Sequence, residues 1–267
     1  MTTETLRLMC ILMLRMAEER CEDREDIDVM YAISKHSKVQ AVMSRGDELA
    51  RSANGKGEKW AVKIVPQECE LLHVTPNALQ LIERAGRTCY RSEDRITEDS
   101  AEKFVAMLVK RGHLSVLEHA HATFRLVTDR GVSHELVRHR VGISYSQEST
   151  RYCNYDRDKF GGGITIIEPP GVRVSDRIYH AWFDSLVEAE SAYLALIAEG
   201  VVPEIARSVL PTCLKTEIAV TANFREWLEV IRQRTSKAAH PQIRELIGMV
   251  RDTLAKECPA VFGVIHE

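Results

Sequence analysis

The chain has 267 residues, 45% of them hydrophobic and 28% charged, with a formal net charge of −3. That length can bury a sizeable core in one large domain or two small ones. The slight negative balance removes any global attraction to nucleic acid, and no eighteen-residue apolar run offers a membrane-spanning helix.

Cys10, Cys21, Cys69, Cys89, Cys153, Cys213 and Cys258 are scattered, odd in number and without a CxxC pair. The expectation is a reducing cytoplasm rather than a disulfide framework. Leu6 to Leu14 is apolar but contains Arg7 and is followed by an acidic run, so no signal peptide is expected. Glu18 to Asp28 is a charge run, and Ser44 to Lys59 is polar with three glycines. Residues 1–60 are therefore expected to form an N-terminal extension, helical or flexible, ahead of a domain at 61–267.

From Val62 the patterning sharpens. Val62 to Val65 and Leu71 to Val74 predict strands, and Thr75-Pro76 opens a helix closed by Gly86. A second helix carries Ala101, Phe104, Val105 and Leu108 on one face and ends at Gly112. Residues 121 to 127 alternate as a strand, and 130 to 139 form a short helix with Gly142 beyond it. Strands follow at Ile164 to Ile167 and Lys215 to Thr221. Long amphipathic helices run from Asp176 to Glu199 and from Pro241 to Lys256. The order of elements lacks a βαβ beat, which predicts an α+β fold.

Chemistry concentrates between Arg138 and Tyr152, in the run RHRVGISYSQESTRY. Its guanidiniums suit bidentate phosphate or carboxylate contacts, and its hydroxyls and amide suit sugars and heterocycles. A nucleotide-like ligand fits that inventory. A solvated basic loop is the plain alternative, and helix C-terminal cations are favoured by the macrodipole anyway. That alternative leaves the serine-rich run unexplained. His113, His119 and His121 invite a metal reading, but no further ligands stand at accepted spacings, so no metal is expected.

The Arg138-His139-Arg140 triplet, Ser149 and the Arg151-Tyr152 pair resemble the signature of the flavin-dependent thymidylate synthases. Here eight residues separate Arg140 from Ser149, one more than the usual seven, and the extra residue is expected within Val141-Gly142-Ile143. GHLSVLEHAHATF from Gly112, RAGRTCY from Arg84, PEIARSVLP from Pro203 and TANFREWLEVIRQR from Thr221 are similar as well, so the likeness runs from about residue 68 onward.

The resemblance implies that family's fold, a mixed sheet flanked by helices, in a homotetramer whose subunits share active sites. It implies reductive methylation of dUMP to dTMP, with FAD, NADPH and 5,10-methylenetetrahydrofolate. On the flavin side it places His113, Ser115, Arg138, His139, Arg140, Gln147, Asn223, Arg225 and Glu229, the last standing where some members have Asn. On the dUMP side it places Glu135 (where Gln is common), Arg138, Gln147, Glu148, Ser149, Thr150, Arg151, Arg207 and Arg234. Arg234 is the catalytic candidate beside the uracil. Without the resemblance, Arg207 and Arg234 would pass as rim ion pairs. The resemblance assigns no nucleophilic role to Cys153. The rivals are a non-catalytic flavin- or nucleotide-binding homologue, an RNA-binding module and a metal-dependent hydrolase.

Overall fold

A computed structural model of the chain describes residues 62–160 and 162–263. The expected N-terminal extension lies outside the described residues.

Among the described residues, six strands divide between two sheets. Strands β2 (Glu68–Val74), β3 (His121–Asp129), β6 (Lys215–Asn223) and β4 (Ile143–Gln147) form an antiparallel sheet in the order β2-β3-β6-β4. Strands β1 (Lys63–Val65) and β5 (Thr165–Ile167) pair in parallel. Parallel and antiparallel pairing both occur, as a mixed sheet requires, but each has its own sheet. The centre is the long β3–β6 ladder, in register from His121↔Asn223 to Asp129↔Lys215.

The period-two pattern of β3 and β6 explains which face is covered. Ala122, Phe124 and Leu126 alternate with His121, Thr123 and Arg125, while Ile218, Val220 and Ala222 alternate with Glu217, Ala219 and Thr221. The apolar set is fully buried beneath helices α6 (Phe224–Arg234) and α7 (Pro241–Glu257). Trp227 anchors α6 there: its ring meets Phe124 edge-on at 5.3 Å, and its Nε1 donates to the Ala122 carbonyl at 3.0 Å. Helices α1 (Ala78–Thr88) and α2 (Ser100–Lys110) extend the same core through Ile82 and Val105.

A second core joins β5 to the long helix α4 (Asp176–Ala198) through Ile164, Ile166, Leu186 and Tyr193. Buried Glu190 serves there as an acceptor, taking the Ile164 N–H at 2.8 Å. The helix expected over 130–139 is shorter, α3 (Arg130–Leu136), because the chain turns at Val137. Asp129 caps it by accepting from the Val132 N–H at 2.7 Å. Among the described residues no helix is long and apolar enough to cross a membrane.

Candidate active site

Two constellations assemble at opposite ends of β4. The first lies where α3 ends against α6. In α6, Asn223 caps the helix by accepting from the Glu226 N–H at 2.8 Å, and Trp227, Val230 and Ile231 face the core. Arg234 lies seven residues after Trp227 and so falls on that inward stripe, one turn past the apolar anchors. Its side chain is 18% exposed.

Three contacts hold the Arg234 guanidinium. Nε donates to His139 Nε2 at 3.0 Å, Nη1 to Glu135 Oε2 at 3.1 Å, and Nη2 to the Glu135 carbonyl at 2.9 Å. Five N–H groups less three leaves two for a ligand. His139 is buried, with Nδ1 3.5 Å from Glu226 Oε1. Burial and the Arg234 charge push the imidazole pKa down despite the nearby Glu229 carboxylate, so it is neutral at neutral pH. Burial, with Glu229 nearby, pushes the Glu226 carboxyl up.

The rest of this end is open. Arg138 and Arg140 are exposed on either side of His139, and Arg138 Nε donates to the His134 carbonyl at 3.3 Å. The turn that follows leaves Val141 79% exposed and passes hard against α6. Gly142 has φ +63, and a Cβ there would lie 2.2 Å from Asn223 Nδ2. The Asn223 N–H donates to the Gly142 carbonyl at 3.1 Å. Arg225 reaches Glu118 at 2.6 Å, tying α6 to the 3-10 turn Ser115–His119. His113 and Ser115 are exposed beside that turn. The structure thus links Asn223 to the turn after Arg140 through Gly142, and Arg225 to the turn that begins at Ser115 through Glu118, with His113, Arg138 and Arg140 adjacent in the chain to these contacts. Glu229 is bound by Arg232 and Gln233, which pull its carboxyl pKa down.

The second constellation follows β4. Ser149 Oγ accepts from the Arg151 N–H at 3.3 Å, and Arg207 Nη1 donates to buried Thr150 Oγ1 at 3.1 Å. Arg151 is half exposed and pairs with Glu204 at 3.2 Å. Arg207 stands at the end of α5 (Pro203–Ala206), which Pro203 opens. Two guanidiniums thus share one serine turn. Glu148 is turned elsewhere, with its carboxylate on the Tyr155 hydroxyl at 2.9 Å and Lys215 Nζ at 3.4 Å. It lines an open cavity of about 520 Å³ on the outer sheet face, where Arg125 pairs with Glu217 and Lys215 with Glu148 and Glu217, and which lacks Arg234, Arg207 and Arg151.

Between the two ends, Gln147 donates through Nε2 to Ser133 Oγ at 2.9 Å and Thr216 Oγ1 at 3.1 Å, leaving its Oε1 for a ligand. Tyr145 OH lies 2.7 Å from the Leu136 carbonyl and 2.9 Å from that of His139. These bonds run α3 antiparallel to β4, so the Arg234 cluster sits at the start of β4 and the Arg151–Arg207 cluster at its end. The five-residue strand between them measures about 13 Å from its first residue to its last.

Cys153 is half-buried, and burial together with the Glu148 carboxylate pushes its thiol pKa up, the wrong direction for a nucleophile. Among the described residues no group of three or more His, Cys, Asp or Glu side chains could hold a metal ion. Glu226, against His139, and Tyr145, against the Leu136 and His139 carbonyls, belong to the same cluster, and sequence reasoning missed both. An acidic residue in a helix's first turn already has a macrodipole explanation, which masks any other role.

The family model described as thymidylate synthase complementing protein matches residues 70–260. The chain belongs to the flavin-dependent thymidylate synthase family. It is 35% identical over 201 residues to a flavin-dependent thymidylate synthase of Mycobacteroides abscessus, covering 68% of this chain and 78% of that one. It is 33% identical over 199 residues to the Geobacter sulfurreducens enzyme of that name, covering 72% and 84%. For the Pyrococcus furiosus enzyme of that name the figures are 34% over 193 residues, 70% and 78%. The fold is also that of the UMP/dUMP methylase PolB from Streptomyces cacaoi, solved with 5-Br dUMP. That match has a TM-score of 0.63 at 21% identity and covers 76% of this chain and 96% of that one. The candidate residues described above in this flavin-dependent thymidylate synthase family member, from His113 to Arg234, fall within the matched span.

Proposed function

We propose that this protein methylates dUMP reductively to dTMP as a flavin-dependent thymidylate synthase. The observation that carries the reading is Arg234, a guanidinium held on three sides with two N–H groups left over, inside the span that matches the family. Uracil C5 is a weak nucleophile. A fixed cation beside N3 or O4 stabilises the anion that enriches C5, a term worth about 2.7–4 kcal/mol where comparable donors have been removed. Glu135 Oε2 accepts from Arg234, which leaves Oε1 to accept the N3–H of a uracil. The same carboxylate offsets part of the Arg234 charge, so this member relies on donor geometry more than on a bare field.

Arg138, Arg140 and Arg225, near the capped N-terminus of α6, suit the pyrophosphate of FAD. His113, Ser115 and Asn223 complete that side, with His139 acting through its hold on Arg234. Glu229 fits least well, being an anion already bound by Arg232. Reduced flavin supplies the hydride when bound, with NADPH as its electron source and methylenetetrahydrofolate as carbon donor. Ser149, Arg151 and Arg207 take the dUMP phosphate in place of Glu204, with Thr150 holding Arg207, while the Glu148 carboxylate is committed to Tyr155 and Lys215 and fits the nucleotide less well. Arg138 and Gln147 contribute to the nucleotide at its edges.

Among the described residues no hydrogen bond or ion pair joins Arg234 to Arg151 or Arg207, and in this reading each site combines one subunit's Arg234 with another's Arg151 and Arg207, in the homotetramer that the family resemblance implies. The cytoplasm is the compartment in this reading. The test is Arg234→Ala: FAD binding should be retained, while dUMP affinity or turnover falls roughly a hundredfold or more. Unchanged kinetics would remove the role given to Arg234.

A further inference from the structure

Resting on that reading of the Arg234 site, we infer that Glu226 is a positioning residue that selects the His139 tautomer and thereby fixes Arg234 toward the pyrimidine. The argument starts from the one proton whose place is certain. An arginine Nε always carries hydrogen, and Arg234 Nε lies 3.0 Å from His139 Nε2. His139 Nε2 must therefore be the acceptor. A neutral imidazole then carries its proton on Nδ1, and the atom facing Nδ1 is Glu226 Oε1 at 3.5 Å.

The other tautomer, or the imidazolium, would set an Nε2–H against the Arg234 Nε–H. Two donors would then share one gap, and Arg234 would lose the contact that fixes its plane. The Glu226 carboxylate, 3.5 Å from Nδ1 on the far side of the ring, favours the tautomer with its proton on Nδ1 over a bare Nδ1, while burial and the Arg234 charge disfavour the imidazolium.

Burial separates this role from a generic one. An acid in the first turn of α6 is favoured by the helix dipole, but that benefit is available in solvent. The Glu226 side chain is instead 13% exposed and turned toward His139, which is 7% exposed. The neighbouring Arg225 is committed to Glu118. Among the described residues, the ion-pair partner within reach of Glu226 is His139. Asn223, which caps this same turn through the Glu226 N–H, sets where the side chain begins.

The experiment measures dissociation constants for dUMP and for FAD separately, together with turnover, in the purified full chain. Glu226→Ala is expected to weaken dUMP binding or kcat/KM by about tenfold to a hundredfold, with FAD affinity unchanged within about twofold. Glu226→Gln keeps an oxygen that accepts from Nδ1–H, so it should stay within about threefold of wild type. In an Arg234→Lys background, which lacks the Nε–H that reads the tautomer, Glu226→Ala should add less than about twofold. Should Glu226→Ala not fold, Glu226→Ser, too short to reach Nδ1, takes its place. Unchanged dUMP binding and turnover in the Ala or Ser variant overturns the inference, as does a parallel loss of FAD and dUMP. Failure of the wild type to bind dUMP at all strikes the functional reading instead.

Discussion

Gly142 shows how closely single residues constrain the site. Its φ of +63 and the 2.2 Å approach to Asn223 Nδ2 leave no room for a Cβ. Gly142→Ala should cost about 1–2 kcal/mol for the left-handed backbone alone, with more from displacing the α6 cap, measured as a drop in urea-unfolding free energy. Stability equal to wild type would mean that the turn can relax away from α6. Cys153→Ala should keep turnover, because its thiol pKa is raised and the proposed chemistry leaves it idle. Loss of all turnover with both ligands still bound would make it a nucleophile. Much of the residue scale was legible in the sequence, because clustered guanidiniums such as Arg138, Arg151 and Arg207 seldom belong in an apolar core. The inward role of His139 was not: RHR reads as three basic groups, yet the middle one is buried and neutral between two exposed neighbours.

Among the elements, α6 bears the most weight, since Trp227 sets the depth at which Arg234 emerges. Trp227→Ala should cost about 3–5 kcal/mol and lower turnover beyond what the lost stability explains, seen by comparing thermal midpoint with kcat/KM. Intact kinetics in a destabilised variant would uncouple the anchor from the site. Helix α4 offers a pH test through Glu190, whose carboxyl pKa burial raises. The unfolded chain releases that proton first as pH rises past the ordinary value of 4.5, so stability falls until the raised folded value is passed and then levels. Glu190→Gln should flatten that fall in denaturation curves taken from about pH 4 to 8. An unchanged slope would assign it to other groups.

The long helices were readable from their 3.6-residue period, and β3 and β6 from strict alternation. Strand β4 was not: Ile143–Gln147 places Ser144 and Ser146 outward and Ile143, Tyr145 and Gln147 inward, an alternation too short, and polar at Gln147, to separate from a loop. Nor does periodicity disclose partners, which is why the division into two sheets appears only in the register.

For the molecule as a whole, the central matter is that one subunit carries the two clusters at opposite ends of β4. If the active site joins them across subunits, inactive Arg234→Ala and Arg207→Ala proteins, unfolded and reassembled together in equal amounts, should regain activity in about a quarter of sites. Persistent inactivity of the mixture would confine each site to one chain. The family was legible in the sequence because several separated segments recur in order, whereas site sharing depends on distances that no segment states. The account as a whole stands on chemistry at uracil C5. Purified protein given FAD, NADPH, methylenetetrahydrofolate and dUMP tritiated at C5 should release tritium to water in step with dTMP formation, and Arg234→Ala should not. Flavin that is reduced by NADPH while the tritium stays on dUMP would contradict it, leaving a flavin- and nucleotide-binding homologue without the methyl transfer.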